Sequence, residues 1–214
     1  MKQRTAMRCW IGYGILAVLL CFLILLNLNI GTVSLSPSEV FGILAGKTSA
    51  NTAIIWEIRL PRLIAAVILG GALSVSGFLL QTFFSNPIAG PFVLGISSGA
   101  KLVVAMTMIG FLSRGWVMSS TSMILAAFVG SMISMGFILL ISGKVKKMSL
   151  LIICGIMIGY ICSAITDFVV TFADDSDIVN LHGWSQGSFS GMSWSNIQVA
   201  AIVVGIAVLC TFFL

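Results

Sequence analysis

Long apolar runs separated by short polar segments dominate this chain. Each run approaches the about 20 residues that a helix needs to cross a bilayer, and none alternates polar and apolar positions as membrane barrel strands do. The pattern therefore predicts an all-α fold, a polytopic transmembrane helix bundle with short connections. The six predicted spans cover residues 9–30, 63–84, 92–112, 117–141, 149–172 and 196–214.

The second predicted span follows Arg59-Leu60-Pro61-Arg62 and contains the uncharged run Ile64–Phe84. Small residues recur along it at helical spacing and predict a face that another helix can approach closely. These helix-packing residues are Gly70, Ser74 and Gly77. Two pairs, Asn86-Pro87 and Gly90-Pro91, then end the helix, because proline lacks an N–H donor and disfavours helix in the residue before it.

Two later spans carry small residues at the same interval of four. Span four contains Ala126, Gly130 and Ser134, and span five contains Gly155, Gly159 and Ser163. Small side chains let helix backbones come close together in a membrane, so we interpret both sets as helix-packing faces.

The polar segments between the spans predict one short helix and one loop. Ser36-Pro37-Ser38-Glu39 places serine at a helix cap, proline at the first position and glutamate at the third, and predicts a helix to about Ala45. Asp174–Asp177 lacks the glycine and the distant glutamate of a calcium loop, so we expect a solvated loop. His182, the only histidine, has no partner at metal-ligand spacing and is expected in the same loop.

Composition agrees with a membrane protein. The chain is 59% hydrophobic and 8% charged, whereas a soluble domain has about 25% charged residues. We expect a single transmembrane domain over residues 1–214. The net charge of +5 then reflects membrane orientation, and no nucleic-acid partner is expected.

Basic residues predict the orientation of the bundle, because they prefer the cytoplasmic side. Those that flank spans one, four and five are Lys2, Arg4, Arg8, Lys144, Lys146 and Lys147. The N-terminus and the loop between spans four and five are therefore expected inside. Segments 31–58, 113–116 and 173–195 are expected outside, which places Arg59 and Arg62 at the outer end of span two, against the general bias.

The chain carries no pattern that predicts catalysis, a cofactor or a metal. Gly42–Thr48 has three residues between its glycines, whereas a phosphate-binding P-loop needs four, and no strand precedes it. The five cysteines lie in or at the ends of apolar spans and form no CxxC pair, so we interpret them as small hydrophobic residues.

The stretch Trp56–Ala100 resembles the FecCD-type membrane permeases of ATP-binding-cassette (ABC) importers for iron-siderophores, haem and vitamin B12. The resemblance rests on Arg59-Leu60-Pro61-Arg62, Gly70, Ser76-Gly77, Gln81, Asn86-Pro87-Ile88-Ala89, Pro91, Leu94-Gly95 and Ser98-Gly99-Ala100. A weaker resemblance extends from Ile30 to Leu214, and Trp184–Trp194 is similar to the segment that precedes span six in that family.

The resemblance implies the N-terminal portion of a permease of roughly ten spans, a single permease domain that stops before the cytoplasmic coupling loop. It implies a multi-pass protein of the bacterial plasma membrane with its N-terminus in the cytoplasm. The expected partners are a second permease copy or homologue, a cytoplasmic ATPase, an extracytoplasmic substrate-binding protein and the lipid bilayer. ATP hydrolysis is then expected in the partner ATPase, and the permease itself is not an enzyme.

The resemblance also implies residue roles. Arg59 and Arg62 would dock glutamates of the binding protein, the alternative being lipid phosphates or Glu57. Asn86 and Ile88, with Ser149, would form the cytoplasmic gate, the alternative for the loop being a plain turn. Lys101 departs from the family, which tends to be uncharged there. We interpret it as a lysine near the inner end of span three that extends toward the interface, or else as a polar contact along the translocation path.

Two other functions stay open from the sequence. A secondary transporter would also use a broken helix, and a non-transporting membrane assembly subunit would need no transport path. Co-purification with an ATPase favours the importer, and uptake driven by an ion gradient favours the secondary transporter. The sequence does not select among siderophores, haem and corrinoids, or between a homodimer and a heterodimer.

Overall fold

The computed structural model of the chain describes residues 2–112, 116, 119–145 and 147–213. The described residues form helices joined by turns and irregular segments, with no strand among them, which confirms the predicted all-α fold. A π-helical turn, Ile54–Arg59, leads directly into the third helix. The helices are α1 (Lys2–Asn29), α2 (Pro37–Leu44), α3 (Leu60–Phe84), α4 (Ile96–Leu112), α5 (Ser120–Ser142), α6 (Met148–Val170), α7 (Asp175–Gln186) and α8 (Trp194–Phe213).

Five helical segments of the described residues are long and apolar enough to cross a membrane, against six predicted spans. They are Met7–Asn29, Ile54–Phe84, Thr121–Ser142, Met148–Val170 and Trp194–Phe213. The remaining predicted span, 92–112, is a shorter apolar helix, Ile96–Phe111. It is shorter because the chain makes turns up to Gly95, which has a φ of 72°. Lys146 and most of the predicted connection 113–116 lie outside the described residues.

Helix α2 confirms the capping signature. The Ser36 hydroxyl accepts a hydrogen bond from the Glu39 N–H at 3.3 Å, and Pro37 occupies the first turn. The Glu39 carboxylate also accepts bonds from the Asn51 amide at 2.8 Å and the Ser49 hydroxyl at 3.0 Å. These bonds connect α2 to the segment that leads into the π-helical turn.

The pKa of Glu39 is therefore expected below its usual range, since the Asn51 amide and then the Ser49 hydroxyl stabilise the carboxylate. A lowered folded pKa means that these bonds support the fold above the unfolded pKa and that this support is lost as pH falls through the folded pKa. A carboxyl NMR titration checks this prediction. The Glu39 midpoint should rise toward its ordinary value in Asn51→Ala, and an unchanged midpoint would contradict the assignment to Asn51.

The acidic segment near 174–177 is a correction, because it opens a helix rather than forming a loop. Asp175 and Asp177 lie in the first turn of α7, where carboxylates are favoured by the helix dipole. Leu181 on this helix is buried, and His182 is exposed on it rather than in a loop. The helix was missed because it is short and largely polar, and because it depends on the tertiary burial of Leu181.

The motif Arg59-Leu60-Pro61-Arg62 is a second correction, because it lies within a continuous helical segment and not before one. The Leu60 N–H bonds to the Ile55 carbonyl, five residues back, at the end of the π-helical turn. Pro61 has no N–H to donate and its ring crowds the preceding turn. A widened turn just before the proline accommodates that ring and lets the helix continue.

The chain divides into two compact units, one of residues 73–188 and one of the residues before and after them. The prediction of one domain over residues 1–214 stays a prediction. The first unit has a core formed by α1, α2, the segment between them and the π-helical turn: Leu28, Leu35, Val40, Ile43 and Ile55. In the same unit the Trp194 indole donates to the Trp56 carbonyl at 2.9 Å, which anchors the start of α8.

The second unit, residues 73–188, contains α4, α5, α6 and α7 and has two buried clusters. One cluster packs the segment after α3 against the end of α5 and the start of α6, and consists of Phe84, Ala89, Leu94, Ile138, Leu151 and Ile152. The other packs α4 against α5 and α7, and consists of Val104, Ala105, Met108, Ala126 and Leu181. This unit also contains the turn between α3 and α4 and a groove along α4 and α6.

Candidate functional site

The segment between α3 and α4 runs along α6, from the first turns of that helix to Gly159, within the second unit. Ala89 packs with Leu151 and Ile152, in the first turn or two of α6. Leu94 lies against Gly155, where an added Cβ would be 3.1 Å from the Leu94 Cα. Gly95 lies against Gly159, which is about 16 Å along α6 from its first residue at about 1.5 Å per residue. Non-helical backbone at membrane depth is tolerated where protein buries it, and Ala89 and Leu94 are fully buried.

Small residues make the close approach between α4 and its neighbours. A Cβ at Gly159 would lie 3.1 Å from the Gly95 Cα, and one at Gly95 would lie 2.7 Å from the Gly159 N. On the other side of α4, a Cβ at Gly130 would lie 2.3 Å from the Gly99 carbonyl oxygen. The predicted faces of spans four and five thus meet the start of α4 inside this chain.

The predicted face of α3 has a different environment. A Cβ added at Gly70 or Gly77 would meet no neighbouring atom within 4 Å, and Ser74 between them is exposed. The contact expected on this face stays a prediction.

A groove runs along α4 and α6, formed by two cavities of about 510 and 360 Å³. Both cavities are lined by Phe92, Ser98 and Ser163, and the Ser98 and Ser163 hydroxyls lie 3.4 Å apart. The larger cavity is also lined by Lys101, Ser97, Ser131, Trp184 and Ser185. The smaller is also lined by Ile156 and Tyr160. We call the two cavities together the serine groove.

The register of the helices places Lys101 beside the middle of α5. Ser98 faces Ser163 in α6, and Gly99 faces Gly130 and Ser134 in α5. Lys101 is the sixth residue of α4, and α4 starts about halfway along α6. The interpretation of Lys101 as a lysine near the inner end of span three that extends toward the interface stays a prediction.

The proposed gate residues lie at the end of this unit that contains the loop between α5 and α6. The Asn86 side-chain oxygen accepts a hydrogen bond from the Ile88 N–H at 2.9 Å, which stabilises the turn. Ile88 is 68% exposed although it is apolar. Ser149 is exposed in the first turn of α6, next to the Leu151 and Ile152 pair that packs on Ala89.

The two arginines of the first unit have unlike environments. Arg59 is 7% exposed, and its guanidinium donates to the Leu28 and Val33 carbonyls. Leu28 is in the last turn of α1, where carbonyls lack helical partners. Gly31 is required nearby, since a Cβ there would lie 2.9 Å from an Arg59 nitrogen. Arg62 is exposed, so of the two arginines it alone presents its guanidinium at the surface.

Sequence reasoning missed several groove residues. Tyr160 and Ser131 are isolated polar residues within apolar spans, and no sequence pattern singled them out. Trp184 was within a stretch that resembled the family, and Ser98 within a matched motif, yet neither was assigned a role. Their common position becomes visible only when α4, α5, α6 and α7 are packed together.

The five described helical segments that are long and apolar enough to cross a membrane define a multi-pass helical membrane protein. The profile of the FecCD transport family matches residues 19–214. The chain is 35% identical over 211 residues to a haemin transport system permease protein of Yersinia pestis, covering 95% of this chain and 60% of that protein. It is 31% identical over 212 residues to a vitamin B12 import system permease protein of Klebsiella pneumoniae, covering 98% and 59%.

A solved structure agrees with the same fold. That protein, described as a putative metal-chelate type ABC transporter in an inward-facing conformation, aligns with a TM-score of 0.68 at 24% identity over 86% of this chain and 55% of that chain. The chain belongs to the FecCD transport family. It spans about 60% of the length of the two permease proteins above.

Proposed function

We propose that this chain forms part of the transmembrane permease of an ABC importer for metal chelates in a bacterial plasma membrane. The serine groove carries the proposal, because it places serine hydroxyls and the Lys101 ammonium within a largely apolar lining along two apolar helices of a FecCD-family chain. Chelates of iron-siderophore, haem or corrinoid type are the substrate class, by analogy with the relatives. The partners would be a second permease, a cytoplasmic ATPase and an external binding protein, with the N-terminus of this chain in the cytoplasm.

Chelate uptake by cells that make the permease containing this chain tests the proposal. Uptake should require the binding protein and a hydrolysis-competent ATPase. It should persist when a protonophore collapses the ion gradient but ATP is maintained. Uptake that follows the gradient and continues without the ATPase would favour a secondary transporter. The groove lining disfavours that alternative, because Lys101 and Tyr160 are its only ionisable residues among those described, and neither is a carboxylate.

The turn after α3 is proposed as the cytoplasmic gate. The Asn86 side chain accepts a hydrogen bond from the Ile88 N–H and holds a defined turn, and Ile88 presents an apolar side chain at the surface. Ser149 lies at the same end of the unit, at the start of α6. A small shift of the turn against α6 would open or close that end of the serine groove.

Cysteines at Asn86 and Ser149, in a permease lacking its native cysteines, should react with a water-soluble maleimide at rates that differ severalfold between nucleotide-free and ATP-bound transporter. The reason is that access to this end alternates during transport. Cysteine at Thr121, exposed at the opposite end of α5, is the control and should react equally in both states. Equal rates at all three positions would favour a plain turn.

Docking of the binding protein is proposed for Arg62, and Arg59 is proposed as a buried support for it. A surface guanidinium can make two parallel hydrogen bonds to a carboxylate. Arg59 instead uses its donors on backbone carbonyls within its own unit. The direct contact with a partner glutamate is therefore assigned to Arg62.

A further inference from the structure

We infer that Lys101 forms an anion-binding subsite in the serine groove and that it takes a carboxylate on the rim of a metal chelate. The inference rests on the proposed function and adds a charge class to the substrate. It starts from the larger cavity, whose about 510 Å³ is within the range of about 300–1,000 Å³ that holds small molecules.

The cavity lining is complementary to an anion. Five serines line it together with Lys101: Ser97, Ser98, Ser131, Ser163 and Ser185. A serine hydroxyl can donate to a carboxylate, and an ammonium has three donors. No carboxylate occurs among the described lining residues, and Lys101 forms no ion pair with any described residue. The cavity therefore offers one positive charge and several donors without an internal counter-ion.

Lys101 lies within an apolar helix, where its charge would be stabilised by a ligand of opposite charge. A charged side chain within a membrane span is costly and faces a water-filled cavity or a partner. Lys101 lies beside the groove near the middle of α5, and no carboxylate occurs among the described residues that line its cavity. A chelate carboxylate would supply the missing opposite charge, and the attraction between two charges is stronger in a cavity of low dielectric constant than in bulk water.

Two other roles for the Lys101 ammonium, stabilising α7 and binding a lipid headgroup, would compete with chelate binding, and experiment separates the three. The last turn of α7 contributes Trp184 and Ser185 to the cavity, so the ammonium would instead serve the fold if it stabilised the helix C-terminus. An anionic lipid headgroup offers the same chemistry as a carboxylate. The position of Lys101 beside the middle of α5 favours a ligand in the groove over a headgroup at the interface.

The test compares two ferric trihydroxamates that differ only in a pendant group, one a carboxylate and the other an ammonium. Both are titrated against the permease containing this chain, in nanodiscs of phosphatidylcholine. The carboxylate probe should bind about tenfold more tightly, as a partly hydrated charged hydrogen bond would give. This preference should vanish in Lys101→Met, persist in Lys101→Arg and be unchanged in Lys144→Met, a lysine in an exposed turn. Thermal unfolding of each variant is measured in parallel.

Each contrary result decides against the inference. Equal binding of the two probes to wild type would remove the anion subsite and leave a chelate permease standing. A preference that survives in Lys101→Met would assign it to another residue. A large fall in unfolding temperature in Lys101→Met, with the preference retained, would assign Lys101 to α7. Loss of the preference when phosphatidylglycerol is added would assign the site to a headgroup. Binding of neither probe would count against both the inference and the proposed function.

Discussion

Gly159→Leu is expected to destabilise the helix bundle by about 3 kcal/mol or more and to abolish assembly of the permease. Overfilling a packed site usually costs about 1–3 kcal/mol, and the obstacle here is backbone. A Cβ at Gly159 already lies 3.1 Å from the Gly95 Cα. Gly95 cannot retreat easily, because the preceding residue, Leu94, is fully buried in a cluster with Leu151 and Ile152 of α6. The yield of folded protein in detergent and its unfolding temperature measure the effect.

Gly136→Leu is the matched control, since Gly136 is also inside a long helix of the same unit. A Cβ at Gly136 meets no neighbouring atom within 4 Å, and replacing glycine by leucine in a helix favours helix formation by a few tenths of a kcal/mol to about 1 kcal/mol. This variant should therefore fold at least as well as the wild type. Equal yields of the two variants would show that α4 and α6 are not in close contact in the membrane.

Substitutions of Arg59 and Arg62 are expected to affect different properties, the stability of the fold for Arg59 and the docking of the binding protein for Arg62. Arg59→Ala should lower the free energy of unfolding by about 3 kcal/mol, because hydrogen bonds to charged groups contribute about 1.5–3 kcal/mol each and two carbonyls lose their partner. Arg59→Lys should not restore stability, since an ammonium lacks the planar fork that reaches both carbonyls. Unfolding temperature and folded yield measure this effect.

Arg62→Glu should leave the unfolding temperature unchanged and weaken docking of the binding protein. The loss should reach several kcal/mol if the ion pair is desolvated, and about 1 kcal/mol if it lies on a wet rim. Replacing the facing glutamate of the binding protein by arginine should restore affinity. Unaltered affinity in Arg62→Glu would assign this arginine to lipid phosphates. A loss of affinity in Arg59→Ala without any loss of stability would return Arg59 to the docking surface.

Local patterns predicted the parts of this protein that depend on neighbouring residues alone. Apolar runs such as Ile64–Phe84 are set by length and hydropathy, so the long spans were predictable. The cap at Ser36 depends on a donor and an acceptor three residues apart, so α2 was predictable too. The motif residues from Arg59 to Ala100 indicated the family, which the match over residues 19–214 then established.

Tertiary structure decided everything that depends on which helix faces which. The turns before Ile96 are stable only because α6 presents glycines to Leu94 and Gly95, and this shortens the third predicted span. Lys101 lies in the groove because α4 begins at Ile96, and the register of α4 against α5 and α6 sets its position along those helices. Arg59 is buried because the end of α1 and the segment after it offer the Leu28 and Val33 carbonyls to its guanidinium. A periodic pattern such as Gly155, Gly159 and Ser163 indicates a packing face but not which helix meets it, and so the sequence alone could not place these residues.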